Sequence, residues 1–371
     1  MNFLSGLERL ERAAFVFFSL FLLLQCLSIA AANIALGIAV FFLVLQLLQS
    51  KGSTDKQALC EAWAQNKNLF ILLVVFWATI LLSALGSNEP LRALKIFLGQ
   101  FIYRTAPLFV ILFFFAKRKY VSFFLLLTIL SCIIDVIGGI LVHGDSLRLK
   151  GLYGHPMTLA GFLIITLPIL YAFLLDWKQK RQTLVVTIVL FLIAFAIGTS
   201  LVFLNSPQLQ NRAESITSTT LQSNTERVLM WQSAYEMFKD HPVLGVGLGQ
   251  YAPKYLNEYK SPQAKERQNH SHNNFLQMLA ENGIVGFLGF VLLFGYLLLS
   301  SFRNSVRKLS PYHVLIFGCT LAFILQGFTE YNFGNSAVIK YYWGTLGCLL
   351  VLARENRDGF GESSFLRFKF S

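Results

Sequence analysis

Charge is what this 371-residue chain has least of: 13% of its residues are Asp, Glu, Lys or Arg, against 55% hydrophobic, and mean hydropathy is +0.58. That scarcity excludes an ordinary soluble domain. Acidic residues are scarcer than basic ones, 19 against 31, which leaves a formal net charge of +12. In a soluble protein such an excess would suggest nucleic acid; in an apolar one, Lys and Arg gather in cytoplasmic loops. No nucleic-acid partner is expected. The cysteines are Cys26, Cys60, Cys132, Cys319 and Cys348, and none lies in the long polar stretch at about 205–282. No disulfide framework is therefore implied. Four sit in apolar runs as small buried hydrophobes, and Cys60 falls in a short basic loop. Internal repeats and low-complexity segments are absent.

What is there instead is a succession of apolar runs, at about 13–31, 32–50, 69–86, 95–116, 120–142, 157–176, 183–204, 283–302, 312–330 and 337–353. A spanning helix needs roughly 20 apolar residues. The expected fold is an all-α polytopic membrane protein with about ten transmembrane helices, within a range of about 10–12. The first two runs are nearly continuous, with only Asn33 and Gly37 as a break. Ala30-Ala31-Ala32 resembles a cleavage region, but the preceding Leu7-Glu8-Arg9-Leu10-Glu11-Arg12 is charge-balanced, so the first run reads as an uncleaved span.

Basic residues orient the chain. One set of loops carries Lys51, Lys56 and Lys67; Lys117-Arg118-Lys119; Lys178, Lys180 and Arg181; Arg303, Arg307 and Lys308; and Arg354 and Arg357. The short loops between them are poorer: 87–94 has Arg92, and 331–336 has no Lys or Arg. Both termini are thus expected in the cytoplasm of a bacterial inner membrane, with the long loop in the periplasm. The division is N-terminal transmembrane helices at 1–204, a helix-containing periplasmic loop at 205–282, C-terminal transmembrane helices at 283–354 and a cytoplasmic tail at 355–371. The outer loops at 143–156 and 205–282 break the basic-poor pattern, and cation on the wrong side suits an anion.

In the long loop, Ser223-x-x-Glu226 has capping-box spacing and predicts a helix running to about Asp240. Val228, Trp231, Tyr235 and Phe238 would share one face. Arg227 would lie in the first turn, where a helix N-terminus and a guanidinium together suit phosphate; it could equally cover loop surface. Asp240-His241-Pro242-x-x-Gly245-x-Gly247-x-Gly249 ends that helix. No Lys follows in P-loop register, so these glycines read as a tight turn rather than a nucleotide cradle. In the loop 143–156, Arg148 and Lys150 either snorkel to the interface or clamp an anionic head group. Arg104, inside an apolar run, and Lys340, near the start of the last one, are costly at such depth and are further candidates.

His270-Ser271-His272 alternates two imidazoles. A metal would need further ligands, and Glu281 is the one acidic candidate close in sequence, so no metal is expected. A general base needs one neutral imidazole, which nearby arginines and a helix starting around Asn273 would help to keep uncharged. The plain alternative is a solvated loop histidine.

His272-Asn273, then nine residues, then Gly283-x-x-Gly286 resembles the signature of the O-antigen ligases, within the larger group of O-antigen polymerases and O-linked oligosaccharyltransferases. Arg148-x-x-Gly151 running into His155-Pro156-x-x-Leu159-Ala160, Arg227-x-x-x-Trp231, Asp240-His241-Pro242-x-x-Gly245-x-Gly247 and Leu276-Gln277-x-x-Ala280-Glu281-x-Gly283 support it, across roughly residues 145 to 350. The family usually has about twelve spans, and His155 stands where Asn is common. The resemblance implies a GT-C-like fold and inverting, metal-independent transfer of a glycan from undecaprenyl diphosphate to a sugar hydroxyl of lipid A-core, with no cofactor. It makes His272 the catalytic residue and Arg148 and Arg227 the diphosphate-binding pair. The lower-weight candidates are His270, Lys150, Arg104 and Glu281. The alternatives are an O-antigen polymerase, a protein O-oligosaccharyltransferase and, more distantly, a transporter of the lipid-linked oligosaccharide. A transporter commonly shows inverted repeats, and this chain shows none.

Overall fold

The computed structural model describes residues 3–4, 7–49, 53–143, 150–174, 222–308 and 310–355, and among these there is no strand. The elements are α1 (Arg9–Leu24), α2 (Ile29–Gln49), α3 (Ser53–Gln65), α4 (Lys67–Leu85), α5 (Pro90–Ile96), a π-turn (Phe97–Ile102), a 3₁₀ turn (Tyr103–Thr105), α6 (Ala106–Phe114), α7 (Arg118–His143), α8 (Pro156–Leu174), α9 (Gln222–Asp240), α10 (Tyr251–Lys254), a second π-turn (Tyr255–Tyr259), α11 (Asn274–Lys308), α12 (Pro311–Gln326) and α13 (Ser336–Glu355). Among the described residues, six stretches are long and apolar enough to cross a membrane: Ile29–Gln49, Lys67–Leu85, Pro90–Phe114, Arg118–His143, Asn274–Arg307 and Ser336–Arg354. Pro156–Leu170 and Pro311–Gln326 are shorter apolar helices. The chain is an all-α polytopic membrane protein. The apolar run at 183–204, Arg148 and the tail beyond 355 lie outside the described residues.

Several boundaries differ from expectation, each for a hydrogen-bonding or packing reason. The first two helices part at 25–28, before the weak break at Asn33. There the Ser131 hydroxyl donates to the Leu23 carbonyl (2.7 Å), the Cys26 N–H donates to Ser131 Oγ (3.3 Å) and the Tyr153 hydroxyl donates to the Gln25 carbonyl (2.7 Å). In an apolar medium a helix end persists only where its backbone groups find such partners. The basic loop around Cys60 is helix α3. The run at 95–116 is not one continuous α-helix: Pro107 lacks an N–H, and the Thr105 hydroxyl donates to the carbonyls of Ile102 (2.7 Å) and Phe101 (3.2 Å).

Helix α11 starts at Asn274, inside the expected loop, and breaks at Gly283, where φ is 60° and ψ is −163°. The segment 242–247 lies alongside the break. Ile284 and Val285 N–H groups donate to the Pro242 and Val243 carbonyls (2.8 and 3.3 Å), while Val246 and Gly247 N–H groups donate to Ala280 and Glu281 carbonyls (2.8 and 3.1 Å). A Cβ on Gly283 would lie 2.3 Å from the Val243 carbonyl oxygen, and one on Gly245 would lie 2.3 Å from the Glu281 carbonyl carbon. The glycine run is a backbone-to-backbone packing motif, as its lack of a P-loop lysine implied.

Helix α9 ends at Asp240 as expected, but Ser223 lies inside it. The buried Glu226 does not close a capping box; its carboxylate accepts from the Lys265 and Glu266 N–H groups (2.7 and 3.4 Å). The buried face is also not the aromatic one: Met230, Ala234 and Met237 pack with Tyr251, Tyr255 and Ala280, while Val228 and Tyr235 are 47% and 52% exposed. Two apolar faces shared the helical period, and only the tertiary partner chose between them.

Candidate active site

The start of α11 and the turn before α13 are bound together residue by residue. Asn273 caps α11, its Oδ1 accepting from the Phe275 and Leu276 N–H groups at 2.9 and 3.0 Å. Its Nδ2 donates to the Phe328 carbonyl (2.9 Å). Asn274 donates its backbone N–H to the Gly327 carbonyl (2.7 Å), accepts from the Phe333 N–H (3.1 Å) and donates through Nδ2 to Asn332 Oδ1 (2.6 Å). Phe333 then packs edge-on against Phe76 and Phe290, with both centroid separations 5.8 Å. The result holds Glu330 against His272, 58 residues away.

His272 has φ of 49°, the one positive value for a non-glycine among the described residues. Such backbone strain persists where the surroundings over-determine it, and it clusters at functional sites. Its Nδ1 lies 3.1 and 3.2 Å from the two Glu330 oxygens. With Nδ1 donating to the carboxylate, Nε2 keeps a lone pair and is set up as a base. Burial works against the charge of Glu330, but the His272 hydrogen bond, the charges of His272 and His270 and the Tyr331 N–H together hold its carboxyl below the usual glutamate value. The ring centroids of His270 and His272 are 4.2 Å apart, and the His272 N–H donates to His270 Nδ1 (3.3 Å). Burial, then His272 and His155, push the His270 imidazole down to about 4, against the pull of Glu330, so it is neutral near pH 7.

These groups line a cavity of about 410 Å³ together with His155, Gln277 and Glu281. The Glu281 carboxylate accepts from the Tyr251 N–H (3.1 Å), two residues before the break in α11 at Gly283. Arg104 stands behind the cavity: its Nη1 donates to the carbonyl of lining residue Gly334 (2.7 Å) and so braces the turn that carries Glu330. Lys340 is buried and bonded to Asn33. Trp231 donates to the Ser271 carbonyl (3.0 Å), next to His272. Arg227 sits one helical turn before Trp231 on the same face, half-buried and without an ion pair among the described residues.

The structure therefore brings His270, His272 and Glu281 to one cavity, with Arg104 behind it; Arg227 is not among the lining residues and lies on helix α9, which reaches the site through the Trp231–Ser271 hydrogen bond. Lys150 is not among the lining residues; its backbone packs on Gly139 of α7. Glu330 was missed, although it is the one carboxylate between Pro311 and Arg354 and so carried a signal. Asp135, buried in α7, was missed too: it accepts the Leu152 N–H (2.6 Å), and a Cβ on Gly151 would lie 2.3 Å from its Oδ2. It fixes the turn just after Arg148. The metal-capable group among the described residues is His270, His272 and Glu330, one donor atom from each within 4.8 Å of the others; Glu281 does not belong to it.

Residues 157–291 match a family model described as O-antigen ligase. Over this segment, 135 of the 371 residues, the chain is similar to the O-antigen ligase domain. The segment contains Arg227, His270, His272, Glu281 and the Gly283-x-x-Gly286 break, in keeping with the resemblance read from those residues. Glu330, Arg104 and Lys150 lie outside the matched segment, and residues 175–221 within it lie outside the described residues. No curated protein matches the chain.

Proposed function

We propose that this protein is an O-antigen ligase of GT-C-like fold: an inverting, metal-independent glycosyltransferase that moves a glycan from undecaprenyl diphosphate to a sugar hydroxyl of lipid A-core. The observation that carries the reading is His272, held in a strained backbone at the mouth of a capped helix, with Nδ1 on Glu330 and inside the segment similar to the O-antigen ligase domain. A sugar hydroxyl is a weak nucleophile at neutral pH, and a positioned base contributes about 10²–10⁴-fold. His272 Nε2 takes the acceptor proton as the acceptor oxygen bonds to the anomeric carbon. The bond from that carbon to the diphosphate breaks on the opposite face, and undecaprenyl diphosphate leaves with the electron pair. Arg227 and Arg148 stabilise the leaving charge, a role in which planar guanidinium forks replace a metal. Glu330 holds the His272 tautomer, and the half-buried position of Arg227 near Trp231 suits a lipid-borne anion arriving from the bilayer.

The enzyme sits in the bacterial inner membrane, with this cavity on the periplasmic side and both termini in the cytoplasm. The test is transfer by purified protein from lipid-linked glycan to lipid A-core, in EDTA. Ligated product supports the reading. Longer lipid-linked chains without ligation would make it a polymerase, and the absence of any glycan transfer would remove the enzyme assignment.

A further inference from the structure

The pair of groups that would activate the acceptor also belongs to a cluster of three side chains spaced so that they could hold a metal ion, and a base has no use for a metal. Two donors on one tetrahedral zinc, each about 2.0–2.2 Å from it, are separated by roughly 3.3 Å. His272 Nδ1 and the Glu330 oxygens are already 3.1 and 3.2 Å apart. His270 places a third donor within 4.8 Å of both. Its ring centroid lies 4.2 Å from that of His272 and 5.6 Å from that of Tyr331. The fourth position would open on the cavity of about 410 Å³, where water fits. Two imidazoles and a carboxylate with one open position match the preference of zinc-like borderline ions over Mg²⁺ or Ca²⁺, which prefer all-oxygen sites.

We propose that His270, His272 and Glu330 form an inhibitory site for Zn²⁺ and similar divalent transition ions. A metal on His272 Nδ1 takes that nitrogen's lone pair and moves its proton to Nε2. Nε2 then donates and cannot accept. A metal on Nε2 removes the acceptor lone pair directly. Either way the imidazole no longer takes the acceptor proton, and no proton is gained or lost overall when the neutral tautomer shifts. Metal and transfer thus compete for one lone pair. This inference rests on His272 being the base only for its inhibitory half; the binding half stands on geometry alone.

The experiment uses the full chain with its affinity tag removed and Cys60→Ser as background, because Cys60 is an exposed thiol. Zn²⁺ binding is measured by elemental analysis after dialysis, and coordination by the visible spectrum of Co²⁺. The expected result is one ion per chain, a tetrahedral-type Co²⁺ spectrum and affinity weakened by about tenfold or more in both His270→Ala and Glu330→Gln. Zn²⁺ should abolish transfer and EDTA should restore it. Failure to bind one equivalent, or unchanged affinity in both variants, overturns the site. Transfer that requires Zn²⁺ overturns its inhibitory character. If no transfer occurs with or without metal but one ion still binds through these residues, the binding site holds and the proposed activity fails.

Discussion

Helices α11 and α13 each run from one polar cavity to another. The cavity at their N-terminal ends has a volume of about 410 Å³ and contains His272 and Glu330; the one at their C-terminal ends has about 340 Å³ and contains Ser300, Ser301, Asn304, His313 and Arg354. By size and polarity the two are alike, and each has a histidine. They differ in convergence. At the first, a capped helix start, a positive-φ histidine, a carboxylate on its Nδ1 and a second imidazole meet at hydrogen-bond distances. At the second, amides and hydroxyls line helix ends, and Arg354 bonds to Gln65. A cavity becomes a candidate active site through groups that restrict one another's protonation, as His270, His272 and Glu330 do at the first.

The sharpest way to break this contrast is to delete each histidine. His272→Ala should lower transfer by about 10²–10⁴-fold with unchanged membrane insertion and elution profile, whereas His313→Ala should stay within about twofold. Equal losses would erase the distinction. Next come the cations. Arg227→Lys should reduce kcat/KM by about 10–100-fold, since an ammonium cannot reproduce a planar fork, while Arg354→Lys should leave transfer unchanged.

A pH series sharpens the comparison further. The folded-state value of about 4 for His270 lies below its ordinary 6.5, so between those values the unfolded chain binds the proton that the folded chain refuses. This group's contribution to stability is therefore present above about 6.5 and lost as pH falls towards 4. Melting temperature should drop across that window, and His270→Ala should flatten the slope. The smallest effect is expected at the break in α11. Gly283→Ala would place a Cβ 2.3 Å from the Val243 carbonyl, costing about 1–3 kcal/mol in thermal denaturation, whereas Gly295, with nothing within 4 Å, should accept Ala without loss of that size.

Much of this was legible in the residues. The apolar runs marked the helices because a bilayer demands them, and Asn273 marked a helix start; the break at Gly283 came only with the structure. The partner of His272 was not legible, because Glu330 is brought in by the Asn273–Asn274 clamp on residues 327–333, a contact between loops with no sequence period. The π-turn at Phe97–Ile102 was hidden for a related reason: hydropathy records burial and not the hydrogen bonds that let a helix change pitch. Which face of α9 is buried was not legible, because only contact with Tyr251 and Tyr255 selects Met237.

His272 and Glu330 are expected to work as a unit, joined through Nδ1. The most direct test is kcat/KM for wild type, His272→Ala, Glu330→Ala and the double variant, all in EDTA. If Glu330 acts only through His272, the double variant should be no slower than His272→Ala alone. Losses that multiply across the two sites would contradict a shared role and leave His272 without its proposed partner.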